Sequence, residues 1–284
     1  MEAAFAALGA RCVRVDLAAC DFDTRSPTGL ALPFLRSRLP DAAHVRTMAA
    51  GSFEAITKRL GVLHALAQLG VVVWNDARAI ERCVDKSMTS FLLARAGVPT
   101  PPTWTIESLE KAQALVEREA RRGPLVLKPL FGAQGEGLRL IRRAEDLPDP
   151  EGVAGVYYLQ RFQSSATADF RDYRLFVLRG RVVAAMMRSA STWITNVKQG
   201  GRPAPLAPDP EMKRLAVAAA AAVGAAIAGV DILVGGDGAP LVLEVNSMPA
   251  WSGLQKVTEI SLAEAIASEL MDELARRPTP TGVS

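Results

Sequence analysis

Cysteine is scarce in this chain, and so are aromatic residues and long apolar runs. The three cysteines contain no Cys-x-x-Cys pair, which excludes a disulfide scaffold and is typical of the reducing cytoplasm. No apolar run approaches the ~18 residues that span a bilayer, and the first residues lack the pattern of a signal peptide. Aromatics make up only 6% and the net charge is +3, with no interleaving of basic and aromatic residues. We therefore expect a cytoplasmic protein that binds neither membranes nor nucleic acid.

What remains is the composition of an ordinary globular protein. Hydrophobic residues make up 49% of the 284 residues and charged residues 22%, so the chain has enough length and apolar content for two or three compact units. The first part alternates a helix over 2–8, a strand over 12–17, a helix over 53–69 and a strand over 71–74. This order predicts an α/β unit with a parallel sheet. Because the chain opens on a helix, we expect that sheet to lack its usual first strand.

The rest of the chain reads as mixed helices and strands. Prolines over 98–103 predict an extended linker. Two helix starts are marked by capping residues, Ser108 before a helix over 108–122 and Asp209-Pro210 before a helix over 211–228. The remaining pattern predicts strands over 125–129, 138–141, 156–160, 173–178, 182–187, 230–234 and 241–245, a proline-rich loop over 203–210, and a last helix over 262–276.

A glycine-rich loop lies between two of these strands and reads Lys128-Pro-Leu-Phe-Gly132-Ala-Gln-Gly135-Glu-Gly137. The residues after it alternate as a strand, so it is not a Rossmann fingerprint, and no Gly-Lys-Ser/Thr follows, so it is not a P-loop. Glycines allow backbone N–H groups to close over phosphates, and Lys128 supplies a cation beside them. The alternative is a flexible hairpin with a surface lysine.

Acidic and amide side chains share one face of the predicted strand pair near the end of the chain. Glu244 and Asn246 are two residues apart and point the same way, and Asp231 on the partner strand can lie beside them. Such hard oxygen ligands suit Mg²⁺. Carboxylates in a strand pair that is otherwise apolar are rarely left without a partner, which favours a metal site over an unpaired buried acid.

Two arginines, Arg174 and Arg188, lie in adjacent predicted strands, and Asn196 and Lys198 follow. They can converge on an anion, or they can belong to a solvated face of the sheet. The two histidines, His44 and His64, lie far from these motifs and are interpreted as structural. The cysteines have no nearby base and are interpreted as small core residues.

Taken together, these motifs resemble the ATP-grasp superfamily and, within it, the RimK-like α-L-glutamate ligases. The resemblance covers nearly the whole chain and rests on six segments in one order. They are Asn75-Asp-Ala-Arg-Ala-Ile-Glu-Arg-Cys-Val-Asp-Lys86, Val126-Leu-Lys-Pro-Leu-Phe-Gly-Ala-Gln-Gly-Glu-Gly137, Leu159-Gln-Arg-Phe162, Asp172-Tyr-Arg174, Gly229-Val-Asp-Ile232 and Leu243-Glu-Val-Asn-Ser-Met-Pro249. Two positions depart from the family pattern: Arg161 stands where an acidic hinge residue is usual, and Ile194 precedes Thr195-Asn196 where an arginine is frequent.

The resemblance implies roles for individual residues around bound ATP. It implies that Arg174 and Arg188 are catalytic, and that Asp231, Glu244 and Asn246 hold two Mg²⁺ or Mn²⁺ ions. The residues that it implies for ATP binding are Lys86 and Lys128, the flap residues Gly132, Gln134, Gly135 and Gly137, the hinge residues Gln160, Arg161 and Phe162, and Asp172 and Asn196.

It also implies an α/β (α+β) ATP-grasp fold. The expected parts are an N-terminal parallel-sheet α/β domain (1–86), a central subdomain with the glycine flap (87–160), a C-terminal subdomain with the metal site (161–277) and a disordered tail (278–284). ATP would lie between the last two subdomains. Family members commonly self-associate, so a homo-oligomer is possible.

The implied reaction joins a small-molecule carboxylate to an amine, with L-glutamate as the expected amine, by way of an acylphosphate. The segments around Lys86 and Asn246 look most like ligases of the tetrahydromethanopterin type. Other acceptors stay open: a deazaflavin cofactor, the C-terminus of a ribosomal protein and an amino-group carrier protein. A nucleotide-binding regulator without turnover is the alternative from another class.

Overall fold

The computed structural model describes residues 1–35, 38–132, 135–163 and 170–277. The predicted flap residue Gln134 and the predicted tail over 278–284 lie outside these described residues. The chain divides into two compact units. The N-terminal unit comprises Met1–Ile80 together with the described residues from Glu259 onward, and the large unit comprises Glu81–Thr258.

Helices and strands alternate along much of the chain. The helices are α1 (Glu2–Ala7), α2 (Phe53–Gln68), α3 (Ala77–Val84), α4 (Lys86–Arg95), α5 (Leu109–Glu119), α6 (Pro210–Val223), α7 (Ser252–Gln255) and α8 (Leu262–Arg276). The strands are β1 (Asp21–Phe22), β2 (Leu30–Ala31), β3 (Ala42–His44), β4 (Val72–Trp74), β5 (Thr103–Ile106), β6 (Leu125–Lys128), β7 (Arg139–Ile141), β8 (Tyr157–Arg161), β9 (Phe170–Leu178), β10 (Arg181–Ala190), β11 (Arg202–Pro205), β12 (Ile227–Val234) and β13 (Pro240–Asn246). None of the described helices has the length and apolar character needed to cross a bilayer.

The N-terminal unit is built around a short parallel pair, β3 with β4, as the alternation of elements predicts. Helix α8 belongs to this unit, and Trp74 Nε1 at the end of β4 donates to Glu273 Oε2 of α8 at 3.2 Å. The resemblance instead implies one C-terminal subdomain over 161–277. Among the described residues, no strand precedes β1. The strand expected over 12–17 is wrong: most of these side chains are exposed, so alternation there buries nothing, and a 3₁₀ helix follows at Leu17–Ala19.

The large unit contains two antiparallel sheets. The four-stranded sheet has the order β5-β8-β6-β7, and α5 packs its apolar face onto it. The five-stranded sheet has the order β11-β10-β9-β12-β13, and α6 covers one side of it. The strands of these two sheets carry nine of the sixteen residues that the sequence singles out: Lys128, Gln160, Arg161, Asp172, Arg174, Arg188, Asp231, Glu244 and Asn246.

Capping residues set the limits of the helices that carry these cores. Ser108 accepts from the backbone N–H of Lys111, and Asp209 accepts from that of Met212, so both predicted caps are confirmed. Helix α6 ends five residues earlier than expected, at Gly224, whose φ of +77° terminates the helix in the left-handed conformation. The residues beyond it extend β12 instead.

Two further expectations need correction. The loop predicted over 203–210 contains β11, because this strand lies at the sheet edge, where a proline without an N–H is tolerated. The cysteines are not all core residues: Cys20 is buried, but Cys83 is half-buried and Cys12 is exposed.

Candidate active site

One cavity in the large unit is lined by residues of both sheets and by the loops beside them. It gathers most of the residues that the sequence singles out. These are Lys86, Lys128, Gly132, Gly135, Gln160, Arg161, Phe162, Asp172, Arg188, Asn196, Asp231 and Glu244. Arg174 and Gly137 do not line it, and Asn246 lines a smaller neighbouring cavity with Lys86, Lys128 and Glu244.

Two lysines approach the cavity from different elements. Lys128 ends β6, and its Nζ donates to Gln160 Oε1 at 2.7 Å. Lys86 begins α4, and its Nζ donates to the carbonyls of Leu130 at 3.2 Å and Gly132 at 2.8 Å. Burial lowers the pKa of both ammonium groups, and the nearby carboxylate of Glu244 partly opposes this. Two cations that have shed much of their hydration are well placed to bind an anion.

A buried network of four charges lies beside these lysines. We call Asp172, Arg174, Arg188 and Asp231 the arginine–aspartate cluster. Arg174 Nε and Nη2 donate to the two carboxylate oxygens of Asp231 at 2.5 and 2.6 Å. Arg188 Nε donates to Asp172 Oδ1 at 2.6 Å, its Nη2 donates to Asp172 Oδ2, and Nη2 also lies 2.9 Å from Asp231 Oδ2. All four residues are buried.

Strand register explains why these four side chains meet. Asp231 lies opposite Arg174 across β12 and β9, and Arg188 lies opposite Asp172 across β10 and β9. Asp172 and Arg174 are two residues apart, so they share one face of β9. Burial opposes ionisation of Asp231, but the two guanidinium groups outweigh it and hold the pKa of this carboxyl below its usual range. Burial opposes the charge of Arg188, yet Asp231 and Asp172 raise its pKa.

The third acidic group, Glu244, is more accessible than Asp231. Its side chain is 31% exposed, against 4% for Asp231. Glu244 Oε1 accepts from Asn246 Nδ2 at 2.9 Å and lies 3.9 Å from Arg174 Nη2. Asp231 faces Glu244 in the register of β12 and β13, as the predicted strand pair requires.

These oxygen donors suit a hard cation such as Mg²⁺, which takes one or two carboxylates together with ligand oxygens. Among the described residues, no group of three or more His, Cys, Asp or Glu side chains is placed to hold a metal ion, so a cation here would use Asp231 and Glu244 together with other oxygens, such as the amide oxygen of Asn246. Both oxygens of Asp231 accept from arginines. Metal binding by Asp231 therefore requires an arginine contact to be shared or released.

The glycine loop approaches the loop after β10. Gly135 has a φ of +75°, and a Cβ added there would lie 2.7 Å from Asn196 Oδ1 and 2.9 Å from Ile194 Cγ2. Only glycine adopts this positive φ without strain and leaves the space that a Cβ would occupy free. The described end of the flap therefore packs against Ile194 and Asn196.

Comparison with known proteins identifies the family of this chain. The RimK-like ATP-grasp domain matches residues 83–270, about two thirds of the chain. The chain belongs to the RimK-like ATP-grasp family. It is an ATP-grasp ligase.

Individual relatives of this RimK-like chain support the assignment. It is 35% identical over 208 residues to the tetrahydromethanopterin:alpha-L-glutamate ligase of Methanococcus maripaludis, covering 71% of this chain and 70% of that protein. It is 32% identical to the enzyme of the same name from Methanosarcina acetivorans, covering 82% and 81%. A solved structure of the ATP-grasp ligase PsnB, in complex with a phosphomimetic variant of its minimal precursor, Mg and ADP, has a TM-score of 0.74 at 21% identity, covering 96% of this chain and 93% of that chain. At that identity the structural likeness establishes the ATP-grasp fold alone.

The predicted hinge of the RimK-like domain has an unexpected arrangement at Arg161. Its Nη1 donates to the carbonyls of Glu119 and Gly123 at 2.8 and 2.7 Å, and its Nη2 donates to Glu119 Oε2 at 2.6 Å. The guanidinium also lies 5.9 Å from the ring centre of Trp104. The charged end of Arg161 therefore joins the hinge to the end of α5.

Sequence reasoning missed two residues of the segment after β10. Trp193 lines the cavity, and Thr195 is buried with its side chain hydrogen-bonded to Asp172. The available signal was an aromatic residue three positions before Asn196. Without the fold, that tryptophan could not be distinguished from an ordinary core residue.

Proposed function

We propose that this protein joins a carboxylate to the amino group of L-glutamate in an ATP-dependent reaction that proceeds through an acylphosphate. The proposed acceptor is a small cofactor of the tetrahydromethanopterin type. Two relatives at 32–35% identity carry that activity in their names. The observation that carries the proposal is one cavity that combines two half-buried lysines, the buried Arg188 of the arginine–aspartate cluster and the accessible carboxylate of Glu244.

The charge of the cavity suits a polyphosphate. The four members of the arginine–aspartate cluster cancel one another, since two are cationic and two anionic. Lys86 and Lys128 against Glu244 leave one net positive charge. We assign the two lysines to the ATP phosphates and the flap glycines to the backbone N–H contacts that cover them. The hinge residues Gln160 and Phe162 are assigned to the adenine side, with Arg161 positioning the hinge.

The proposed chemistry needs no covalent enzyme nucleophile. A carboxylate oxygen of the acceptor attacks the γ-phosphorus, the bond to ADP breaks, and an acylphosphate forms. The amino group of glutamate then attacks the carbonyl carbon, phosphate leaves, and the amine gives up a proton. Arg174 and Arg188 stabilise the negative charge that develops in both steps. Closure of the flap excludes water, which would hydrolyse the acylphosphate.

We assign divalent ions, two Mg²⁺ or Mn²⁺ per site, to Asp231, Glu244 and Asn246, with Asp172 and Asn196 beside the phosphates. Bound there, the ions would neutralise phosphate charge. The oxygen donors fit such ions by type, and a solved structure of PsnB, a structural neighbour, contains Mg and ADP. The scarcity of cysteine and the absence of a Cys-x-x-Cys pair from the sequence favour the reducing cytoplasm as the place of the reaction.

The test is mass spectrometry of the products after incubation with ATP, Mg²⁺, L-glutamate and one acceptor at a time. The acceptors are a tetrahydromethanopterin-type pterin, a deazaflavin, a ribosomal-protein C-terminal peptide and an amino-group carrier protein. The expected product is the pterin plus one or more glutamyl residues, with ADP released only when acceptor and glutamate are both present.

Other outcomes are equally clear. A glutamyl product on a different acceptor would contradict the proposed acceptor and support the proposed reaction. Nucleotide binding with no acceptor-dependent ADP release from any of the four would contradict the ligase proposal and favour a regulator. A Glu211→Gln variant, changed on the exposed surface of α6, serves as the control for preparation effects.

A further inference from the structure

The cavity lining contains a group of apolar and aromatic side chains of which only Phe162 has an assigned role. They are Val126, Phe162, Phe170, Trp193, Leu233 and Leu243, and they share the cavity with Lys86, Lys128 and the other charged residues of the site. A cavity that combines cationic with apolar and aromatic side chains suits a ligand with a polyanionic part and a flat hydrophobic part.

Trp193 is the one tryptophan in this described lining, and it comes from the loop after β10. Its ring centre lies 6.0 Å from that of Phe162, with the planes at 82°. This is the edge-to-face geometry that aromatic pairs prefer. The two rings therefore meet nearly at right angles, and both residues line the cavity, where a planar base could pack against an aromatic side chain.

The segment that carries Trp193 is held in place on two sides. Thr195 is buried and hydrogen-bonded to Asp172 of the arginine–aspartate cluster. Ile194 and Asn196 lie against Gly135 of the flap, at the distances where an added Cβ would clash. The residues that follow Trp193 are therefore held between the cluster and the flap, so less ordering of this segment is needed when a ligand binds.

We propose that Trp193 is a nucleotide-binding residue, and that its indole ring packs against the adenine base at the hinge end of the cavity beside Phe162. This inference rests on the proposed use of ATP and deepens it. The occupant is the base and not the acceptor, because the aromatic wall continues directly into the hinge strand β8 and shares one cavity with both lysines. Trp193 contributes to affinity through the base alone, since no phosphate contact is assigned to it.

The test compares ADP with inorganic tripolyphosphate, which keeps the phosphates and lacks the base, by calorimetric titration in Mg²⁺ buffer. For Trp193→Leu we expect a 5- to 100-fold weaker affinity for ADP, on the scale of a lost base–aromatic contact, and an unchanged affinity for tripolyphosphate. Trp193→Phe keeps an aromatic face and should stay within about threefold of the wild type for both. Trp251→Leu is the matched control, because Trp251 makes a similar edge contact, with Phe176 at 5.7 Å and 85°, outside the cavity lining.

Fluorescence gives a second measurement that does not depend on the leucine variant folding. The chain has four tryptophans, and Trp193 is the one in the described cavity lining. ADP should change the emission of the wild type, tripolyphosphate should not, and Trp193→Phe should abolish the response to ADP. An ADP response that persists in Trp193→Phe would overturn the proposal.

The outcomes separate this inference from the proposed function. If the wild type bound neither ADP nor tripolyphosphate, the use of ATP itself would be wrong. If it bound both and Trp193→Leu bound ADP as tightly as the wild type, the inference alone would fail. A raised KM for the acceptor with unchanged ADP affinity would assign the ring to the acceptor and equally overturn the proposal.

Discussion

Replacing Glu244 by glutamine separates nucleotide binding from catalysis at this site. The amide keeps the shape of the side chain. It also keeps an oxygen that can accept from Asn246 Nδ2, as Glu244 Oε1 does in the wild type at 2.9 Å. It removes one of the three carboxylate charges near the lysines, so the net charge of the lysines, the cluster and residue 244 rises from one positive charge to two. ADP should still bind, within about tenfold of the wild type.

Turnover should respond far more strongly. Glu244 is the accessible carboxylate of the proposed metal set, placed where phosphate charge is gathered. Losing one preorganised electrostatic contact costs about 10²–10³ in kcat, or about 2.7–4 kcal/mol. We therefore expect kcat to fall at least ~100-fold with little change in ADP affinity.

The assay pairs ADP titration with steady-state release of ADP over a range of Mg²⁺ concentrations. Glu211→Gln, which removes an exposed carboxylate paired with Arg214, should behave as the wild type because such surface pairs contribute little. Normal turnover of Glu244→Gln at saturating Mg²⁺ would refute the metal assignment. A loss of ADP affinity as large as the loss of kcat would refute the separation of binding from chemistry.

Three further predictions follow from the same geometry. Because burial lowers the pKa of Lys86 and Lys128, ADP affinity should fall as pH rises from 7 to 10, before ordinary lysines near pKa ~10.4 lose their charge; Lys128→Arg should flatten that titration. Gly135→Ala should lower kcat about tenfold or more, because its Cβ would clash with the loop after β10; steady-state kinetics measure this. Asp231→Asn should lower the free energy of unfolding by about 3–5 kcal/mol, measured by urea denaturation, because it leaves buried arginines without their carboxylate.

A matched control is available for the Gly135 prediction, and a pH dependence extends the Asp231 prediction. Gly180→Ala also changes a glycine of positive φ, +74°, but its Cβ would meet nothing within 4 Å, so it should keep wild-type kcat. A kcat loss in Gly180→Ala equal to that in Gly135→Ala would attribute the effect to backbone strain alone. For Asp231, the lowered pKa means that its stabilisation is present above the ordinary pKa of ~3.9 and is lost as pH falls through the folded-state value. Equal stability of wild type and Asp231→Asn at pH 7 would contradict the role of the cluster.

The secondary structure could be predicted where local signals agree. Helix α6 begins where Asp209 and Pro210 mark it, and α8 has the predicted bounds because its apolar periodicity is regular. The strand expected over 12–17 is wrong because a strand needs a hydrogen-bonded neighbour as well as alternating side chains. No described strand pairs with these residues. The edge strand β11 was missed for the opposite reason, since its prolines argue locally for a loop.

The site could be predicted as a set of residues but not as a set of contacts. Period-two spacing placed Glu244 with Asn246 on one face, and the resemblance to the family supplied Asp172 with Arg174. The pairing of Arg174 with Asp231 and of Arg188 with Asp172 depends on which residues face one another across three strands. That register is non-local and includes a bulge between Val182 and Ala184.

Burying four charges in one cluster is difficult to explain by stability alone, because paired buried ions roughly offset their own desolvation. The position of the cluster offers a reason. Each aspartate fixes the guanidinium of an arginine beside the cavity, and Asp172 also anchors Thr195. Through Thr195 the cluster holds the segment that contacts the flap at Gly135. A ligand that draws an arginine from its aspartate would therefore act on the flap through a continuous chain of contacts. Since the cluster itself is neutral, we expect the positive charge that attracts a polyphosphate to come from other residues of the cavity, Lys86 and Lys128 first among them.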